Sequence, residues 1–261
     1  MAMFQVSTAK VLITGGTNGI GAGLAEHFMK AGAEVLITGR DAIKLEKLRL
    51  ENPKLLTFQS DISKVEDRID LAKHVLKIMP DLNVLINNAG IQRRIGIAKD
   101  DGPWLEKQLE IDTLLSGPIH LISLLCPLMV KNDRSGLIIN ITSGGAYIPQ
   151  TFAPLYSACK AALHSYTVNL RYSLHKTSIK TIEIVPPAVS TGLAGPGKNH
   201  GAPSNDFCDT VFPQIINANT DEIGYGPTAT IDFKEAQEPN KKLFNMFAPR
   251  FDTPIFNERE K

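Results

Sequence analysis

A doubly wound parallel α/β sheet, covered by helices on both faces, is the fold class this chain predicts. Three observations predict it. Short apolar runs alternate with helix-like segments from Val11 to Val185. The runs are near-continuously apolar, the pattern of strands buried on both sides. A glycine-rich turn, Thr14-Gly15-Gly16-Thr17-Asn18-Gly19-Ile20-Gly21, joins the first run to the first helix. Repeated βαβ units with right-handed crossovers then give a doubly wound sheet.

The elements follow in order. Val11-Leu12-Ile13 is the first strand. Helical periodicity from Ile20 to Ala31 closes at Gly32, a suitable C-terminal stop. Glu34 to Thr38 is the second strand and Asp41 to Leu50 the second helix. Leu55 to Gln59 and Lys64 to Met79 repeat the unit, and Pro80 ends that helix. Val84-Leu85-Ile86 is the fourth strand. Trp104 to Met129 reads as one long helix, interrupted at Pro118 and Pro127. Leu137 to Ile141, Pro154 to Lys176 and Ile179 to Val185 supply the fifth strand, a further helix and the sixth strand. From Pro186 the regularity fails. Gly192, Gly195, Pro196, Gly197, Asn199, Gly201 and Pro203 crowd a loop over residues 187–210. That loop leaves the carboxyl end of the sixth strand, the edge where open α/β sheets bind ligands, so it reads equally as a substrate lid or a plain linker. A short helix near Asp209 to Asn217 and a strand near Glu222 to Tyr225 complete the sheet. Residues 227–261 read as an irregular tail.

Composition narrows the function. The 261 residues suit a single domain spanning 1–261. Lys and Arg number 28 against 27 Asp and Glu, so no global field draws the chain to nucleic acid or to an anionic membrane. Arg93-Arg94 reads as a solvated loop. Cys126, Cys159 and Cys208 are odd in number and lack C-x-x-C spacing, which argues against a disulfide framework or zinc site and for a reducing, cytoplasmic compartment. The first ten residues lack the pattern of a secretory signal. The most apolar run, Ile119 to Val130, is too short to span a bilayer. The histidines never take metal-ligand spacing, so no metal is expected.

Tyr156 and Lys160 carry the chemistry. Four residues apart on a helix, they share one face. An ammonium near a phenol favours the phenolate and lowers its pKa toward the range of a general acid or base. Gly15, Gly19 and Gly21 permit a tight turn and close backbone approach to a pyrophosphate, held at the helix N-terminus. The second strand ends Thr38-Gly39-Arg40, without the acid that bonds the ribose 2′-hydroxyl of NAD. Arg40 there favours a 2′-phosphate and hence NADP; the alternative is a surface arginine at the start of the next helix. Asp61 either accepts from an adenine amino group or caps the following helix. Asn87-Asn88-Ala89-Gly90 follows the fourth strand and lets backbone approach a cofactor. Ser143 ends the fifth strand, where its hydroxyl either holds a substrate carbonyl or bonds its own turn.

Together these motifs make the chain resemble the short-chain dehydrogenase/reductase family, over roughly residues 8 to 192. The resemblance rests on Thr14-to-Gly21, Asp61, Asn87-to-Gly90, Ser143, Tyr156-x-x-x-Lys160, and Pro186-Pro187 with Thr191. Gly117-Pro118-Ile119-His120-Leu121 and the tail are similar to a DltE-type subgroup. The resemblance implies a Rossmann-like sheet of about seven strands, a bound NADP or NAD, a small-molecule carbonyl or alcohol substrate, and a homodimer or homotetramer. It makes Tyr156 the acid/base, Lys160 its partner and ribose ligand, and Ser143 the carbonyl anchor. Gly15, Thr17, Asn18, Gly19, Ile20, Gly21, Arg40, Asp61, Ile62, Asn88, Ala89, Gly90, Pro186, Val189 and Thr191 would contact the cofactor. One position departs: Leu114 stands where the family carries an asparagine that helps kink the helix and position a water. Leucine has no side-chain donor or acceptor, so proton resupply to Tyr156 would rest on the backbone carbonyl of residue 114. That departure also supports an alternative reading, a non-catalytic NADP-binding sensor or scaffold.

Overall fold

A computed structural model describes residues 4–193, 195, 201–250 and 253–256. The chain runs β1 (Lys10–Ile13), α1 (Gly19–Lys30), β2 (Glu34–Gly39), α2 (Ala42–Glu51), β3 (Leu56–Gln59), α3 (Val65–Ile78) and β4 (Val84–Asn87). It continues through α4 (Trp104–Ile111), α5 (Gly117–Lys131), β5 (Gly136–Ile141), α6 (Pro154–Leu174) and β6 (Ile179–Val185). Two short strands, β7 (Val189–Ser190) and β8 (Ala202–Pro203), precede α7 (Ser204–Asn217), β9 (Glu222–Gly224), α8 (Ile231–Glu235) and α9 (Glu238–Phe247).

Seven strands form one parallel sheet in the order β3-β2-β1-β4-β5-β6-β9. Every residue of β4 and β5 is buried, which is why these strands read as unbroken apolar runs. Side chains alternate across the sheet. Val11, Ile13, Val35 and Ile37 pack toward Leu24 and Phe28 of α1 and Phe207, Val211 and Ile215 of α7. Leu12, Leu36, Leu85 and Ile138 pack oppositely, toward Leu71 and Val75 of α3, Leu121 and Leu125 of α5, and Leu170 of α6. Burying each such Leu or Ile contributes about 1.5–3 kcal/mol, so the two apolar faces hold the helices in register. Strand order reverses beside β1, which lies between β2 and β4. A crevice forms at the carboxyl edge of such a reversal.

Four expectations change. The long helix predicted from Trp104 to Met129 is not interrupted by its prolines but by a π turn over Asp112–Ser116, with Gly117 N–H donating to Asp112 O. The wider turn absorbs Pro118, which sits at the start of α5 and lacks an N–H to place. The apolar stretch is also longer than the sequence suggested. Trp104–Lys131, 28 residues, is long and apolar enough by length and composition to cross a bilayer, while its Leu121, Leu125 and Met129 pack in the core. The helix expected from Asp209 begins at Ser204; the glycine- and proline-rich segment conceals a start immediately after Pro203. The irregular tail is partly helical: α8 is capped by Thr230, whose hydroxyl accepts from Phe233 N–H at 3.3 Å, and α9 begins with Pro239 in its first turn. Of the predicted loop, Pro196, Gly197 and Asn199 lie outside the described residues; its flanks pair as β7 with β8.

A candidate nucleotide and catalytic site

A cavity of about 500 Å³ opens at the carboxyl ends of the strands. Its wall collects Gly15, Thr17, Asn18 and Ile20 after β1, Arg40 after β2, Asp61 and Ile62 after β3, and Asn88, Ala89 and Gly90 after β4. Ser143 follows β5, Tyr156 and Lys160 come from α6, and Pro186, Val189 and Thr191 follow β6. Of the residues expected here, Gly19 and Gly21 do not face the cavity. They serve packing. Gly19 has a φ of +52°, and a Cβ there would lie 2.6 Å from Thr191 Cβ. A Cβ on Gly21 would lie 2.4 Å from Asn88 Nδ2. These glycines therefore admit close protein neighbours.

Asn88 ties the turn to the sheet. Its Nδ2 donates to Thr14 O and Gly15 O, each at 3.0 Å, and its backbone N–H donates to Thr14 Oγ1 at 3.0 Å. Deeper, Asn87 Nδ2 donates to Asn140 Oδ1, and Asn140 Nδ2 to Thr167 Oγ1, both at 2.9 Å. This buried ladder joins β4, β5 and α6, and so seats the helix bearing Tyr156 and Lys160. Asp61 is engaged locally, its Oδ1 accepting from Ser63 N–H at 3.1 Å and Ser63 Oγ at 2.7 Å. The N-cap of α3 is Lys64. Ser143 Oγ likewise accepts from Gly145 N–H at 3.0 Å, the turn bond weighed as its alternative. Asp41 caps α2 by accepting from Lys44 N–H at 3.0 Å, so Arg40 is not the cap. Its exposed guanidinium has no acidic partner among the described residues.

The electrostatics differ from the sequence reading. Burial pushes the Tyr156 phenol up to about 12; Ser143 pulls it down and the Glu110 carboxylate adds to the rise. Lys160 Nζ donates to Ile141 O at 2.7 Å and lies 5.7 Å from the Tyr156 ring centre. Lys160, itself 4% exposed, is pushed down to about 8 by burial, against which Cys159 and Glu183 act. Leu114 is fully buried against Tyr156, Ala153 and Cys159. The helix widens into the π turn at this residue regardless. Arg93 is not a solvated residue: its guanidinium forks onto Asp100 at 2.8 and 2.9 Å, holding that carboxyl at about 2. Arg94 stacks over Phe152 at 4.5 Å.

Sequence reasoning missed Gln92, Thr113 and Thr142 in the cavity wall. Thr142 was within reach as the neighbour of Ser143. Gln92 and Thr113 were not, since a loop and a π turn bring them in.

A family model for short chain dehydrogenases matches residues 9–201. The chain belongs to the short-chain dehydrogenase family. Membership makes it an oxidoreductase acting between CH–OH and C=O groups with a nicotinamide nucleotide. Among relatives in this family, an uncharacterized oxidoreductase DltE of Bacillus subtilis (strain 168) is 41% identical over 189 residues, 72% of this chain and 75% of the relative. A serine 3-dehydrogenase of Rhizobium radiobacter is 31% identical over 236 residues, 82% of this chain and 92% of the relative. A Burkholderia cenocepacia short chain dehydrogenase, solved in complex with NADP, superposes with a TM-score of 0.78 at 23% identity, covering 96% of this chain and all of that one (100%).

Proposed function

We propose that this short-chain dehydrogenase reduces a small ketone or aldehyde with NADPH, or runs the reverse oxidation, with Tyr156 as proton donor to the carbonyl oxygen. The observation that carries the reading is that Ser143, Tyr156 and Lys160 share one cavity wall with the glycine turn and Arg40. When bound, the cofactor supplies hydride to the carbonyl carbon. The residues do the rest. A phenol pushed up to about 12 is protonated at neutral pH and so holds the proton that the carbonyl oxygen takes up on reduction. The Ser143 hydroxyl, fixed by Gly145 N–H, is aimed to hold the carbonyl oxygen beside that phenol. The Lys160 ammonium lies behind Tyr156, held against Ile141 O, where its charge favours proton loss from the phenol as product forms.

The cofactor fits the site. β2 ends at Gly39 with no carboxylate to meet a ribose 2′-hydroxyl, and the Arg40 guanidinium is free to meet a 2′-phosphate. The test is a panel of carbonyl compounds and alcohols, followed by nicotinamide absorbance with both NADPH and NADH. Turnover of at least one carbonyl compound, faster with NADPH, is expected. Cofactor binding without turnover of any compound would favour the non-catalytic reading.

A further inference from the structure

Behind the cavity wall lies a buried acid that the chemistry above does not use. Glu183, in the middle of β6, is fully buried. Both its oxygens are held: Thr142 Oγ1 donates to Oε1 at 2.6 Å, and His164 Nδ1 lies 2.8 Å from Oε2. Tyr147 OH lies 2.9 Å from the same His164 nitrogen. Two short paths lead from this carboxylate to Lys160. Thr142 is the residue after Ile141, whose carbonyl accepts from Lys160 Nζ at 2.7 Å. His164 is one helical turn beyond Lys160 on α6, so both reach the sheet from one helix face, Lys160 to Ile141 of β5 and His164 to Glu183 of the neighbouring β6, where Asn140 pairs with Glu183. We propose that Glu183, clamped between Thr142 and His164, is the positioning residue that keeps the buried Lys160 ammonium charged against the sheet.

A buried ammonium needs a nearby anion or it sheds its proton. Cys159, the other group that supports the charge on Lys160, is pushed up to about 11 by burial and is a neutral thiol at pH 7. That leaves Glu183. Other charges act on His164, the residue that meets this carboxylate: Arg171 from α6, and Glu222 from β9, itself 3.1 Å from Lys241 of α9. Tyr147 faces it from the loop after Ser143, with its phenol pushed up by burial and by this carboxylate. Burial pulls the His164 imidazole down, but its contact with Glu183 prevails and raises it. Thr142 lines the cavity, so the same clamp also fixes the wall next to Ser143.

Lys160 serves the proposed reduction, whereas its pairing with Glu183 stands apart from turnover, and the test separates the two. In a double-mutant cycle of Glu183→Gln with Lys160→Met, thermal stability is measured at pH 7 and pH 10. His164, Arg171, Glu222 and Tyr147 are common to all four proteins and cancel. Glu183→Gln is expected to lower Tm at pH 7 by at least about 2 °C more in the wild-type background than in Lys160→Met, and the excess should vanish at pH 10. Additive losses at both pH values overturn the pairing. In parallel, the alkaline limb of kcat/KM against pH, with the best carbonyl compound, should move to lower pH in Glu183→Gln and stay in place in Tyr147→Phe. A uniform loss with an unmoved limb also overturns it. Coupling in stability without turnover of any carbonyl compound leaves the pairing standing and removes the proposed reaction. Should Glu183→Gln fail to fold, His164→Phe, which frees one carboxylate oxygen, is expected to show the same limb shift reduced in size; an unmoved limb there overturns the clamp.

Discussion

Replacing Arg40 by alanine isolates the cofactor choice. The guanidinium is exposed, lines the nucleotide end of the cavity and has no acidic partner among the described residues. Gln59 Nε2 bonds the Arg40 backbone carbonyl at 3.0 Å, so the chain path is held without the side chain. Truncation should therefore leave Tm unchanged and act on the ligand alone. A charge-assisted hydrogen bond contributes about 1.5–3 kcal/mol, and solvent screening at an exposed position favours the lower end. A loss of about 1.4 kcal/mol is a tenfold rise in Kd. Titrating cofactor fluorescence should show NADPH weakened about tenfold and NADH unchanged, with the difference shrinking as salt rises. Equal losses for both cofactors would refute the 2′-phosphate assignment, and so would a loss confined to NADH.

Three further substitutions test the structure around the site. Leu114→Asn puts an amide into a fully buried position against Tyr156; it should lower stability by about 1–3 kcal/mol yet raise kcat if proton resupply limits turnover, and an equal or lower kcat retires that idea. Gly19→Ala forces a side chain into a left-handed φ of +52° and into Thr191, so Tm should fall by several degrees for a cost of about 1–2 kcal/mol, a loss that Thr191→Gly should partly restore. Lys160→Met tests the charge itself. The folded-state pKa of Lys160 lies at about 8, below its ordinary 10.5, so the ammonium penalises the fold below pH 8 and the penalty fades as pH rises toward the unfolded value. The variant should accordingly gain on the order of 3 kcal/mol relative to wild type at pH 7 compared with pH 10; a difference independent of pH would mean that Lys160 is not desolvated.

The sheet was legible because its strands are buried on both faces. Val84-Leu85-Ile86 and Leu137 to Ile141 read as strands for the same reason that they pack as strands. Sixteen of the expected site residues lie in one wall because fourteen follow the carboxyl ends of parallel strands and the other two, Tyr156 and Lys160, are carried there by α6. What the sequence hid depended on three-dimensional context. The π turn at Asp112–Ser116 has no pattern of its own, and it brings Thr113 to the cavity. The start of α7 at Ser204 was masked by the glycines and prolines before it. The rise of Tyr156 and the fall of Lys160 come from burial, which spacing along a helix does not reveal. The close approach of Thr191 to Gly19 and of Asn88 to Gly21 was hidden because those neighbours are far away in sequence.

The most direct measurement is the single-turnover reduction of a carbonyl substrate by Tyr156→Phe, with NADPH affinity determined on the same protein. Removing the phenolic hydroxyl should cut the rate by about a hundredfold or more while leaving NADPH binding within about twofold, because the ring remains to fill its buried place on α6. An unchanged rate would show that the proton reaches the substrate oxygen from another group.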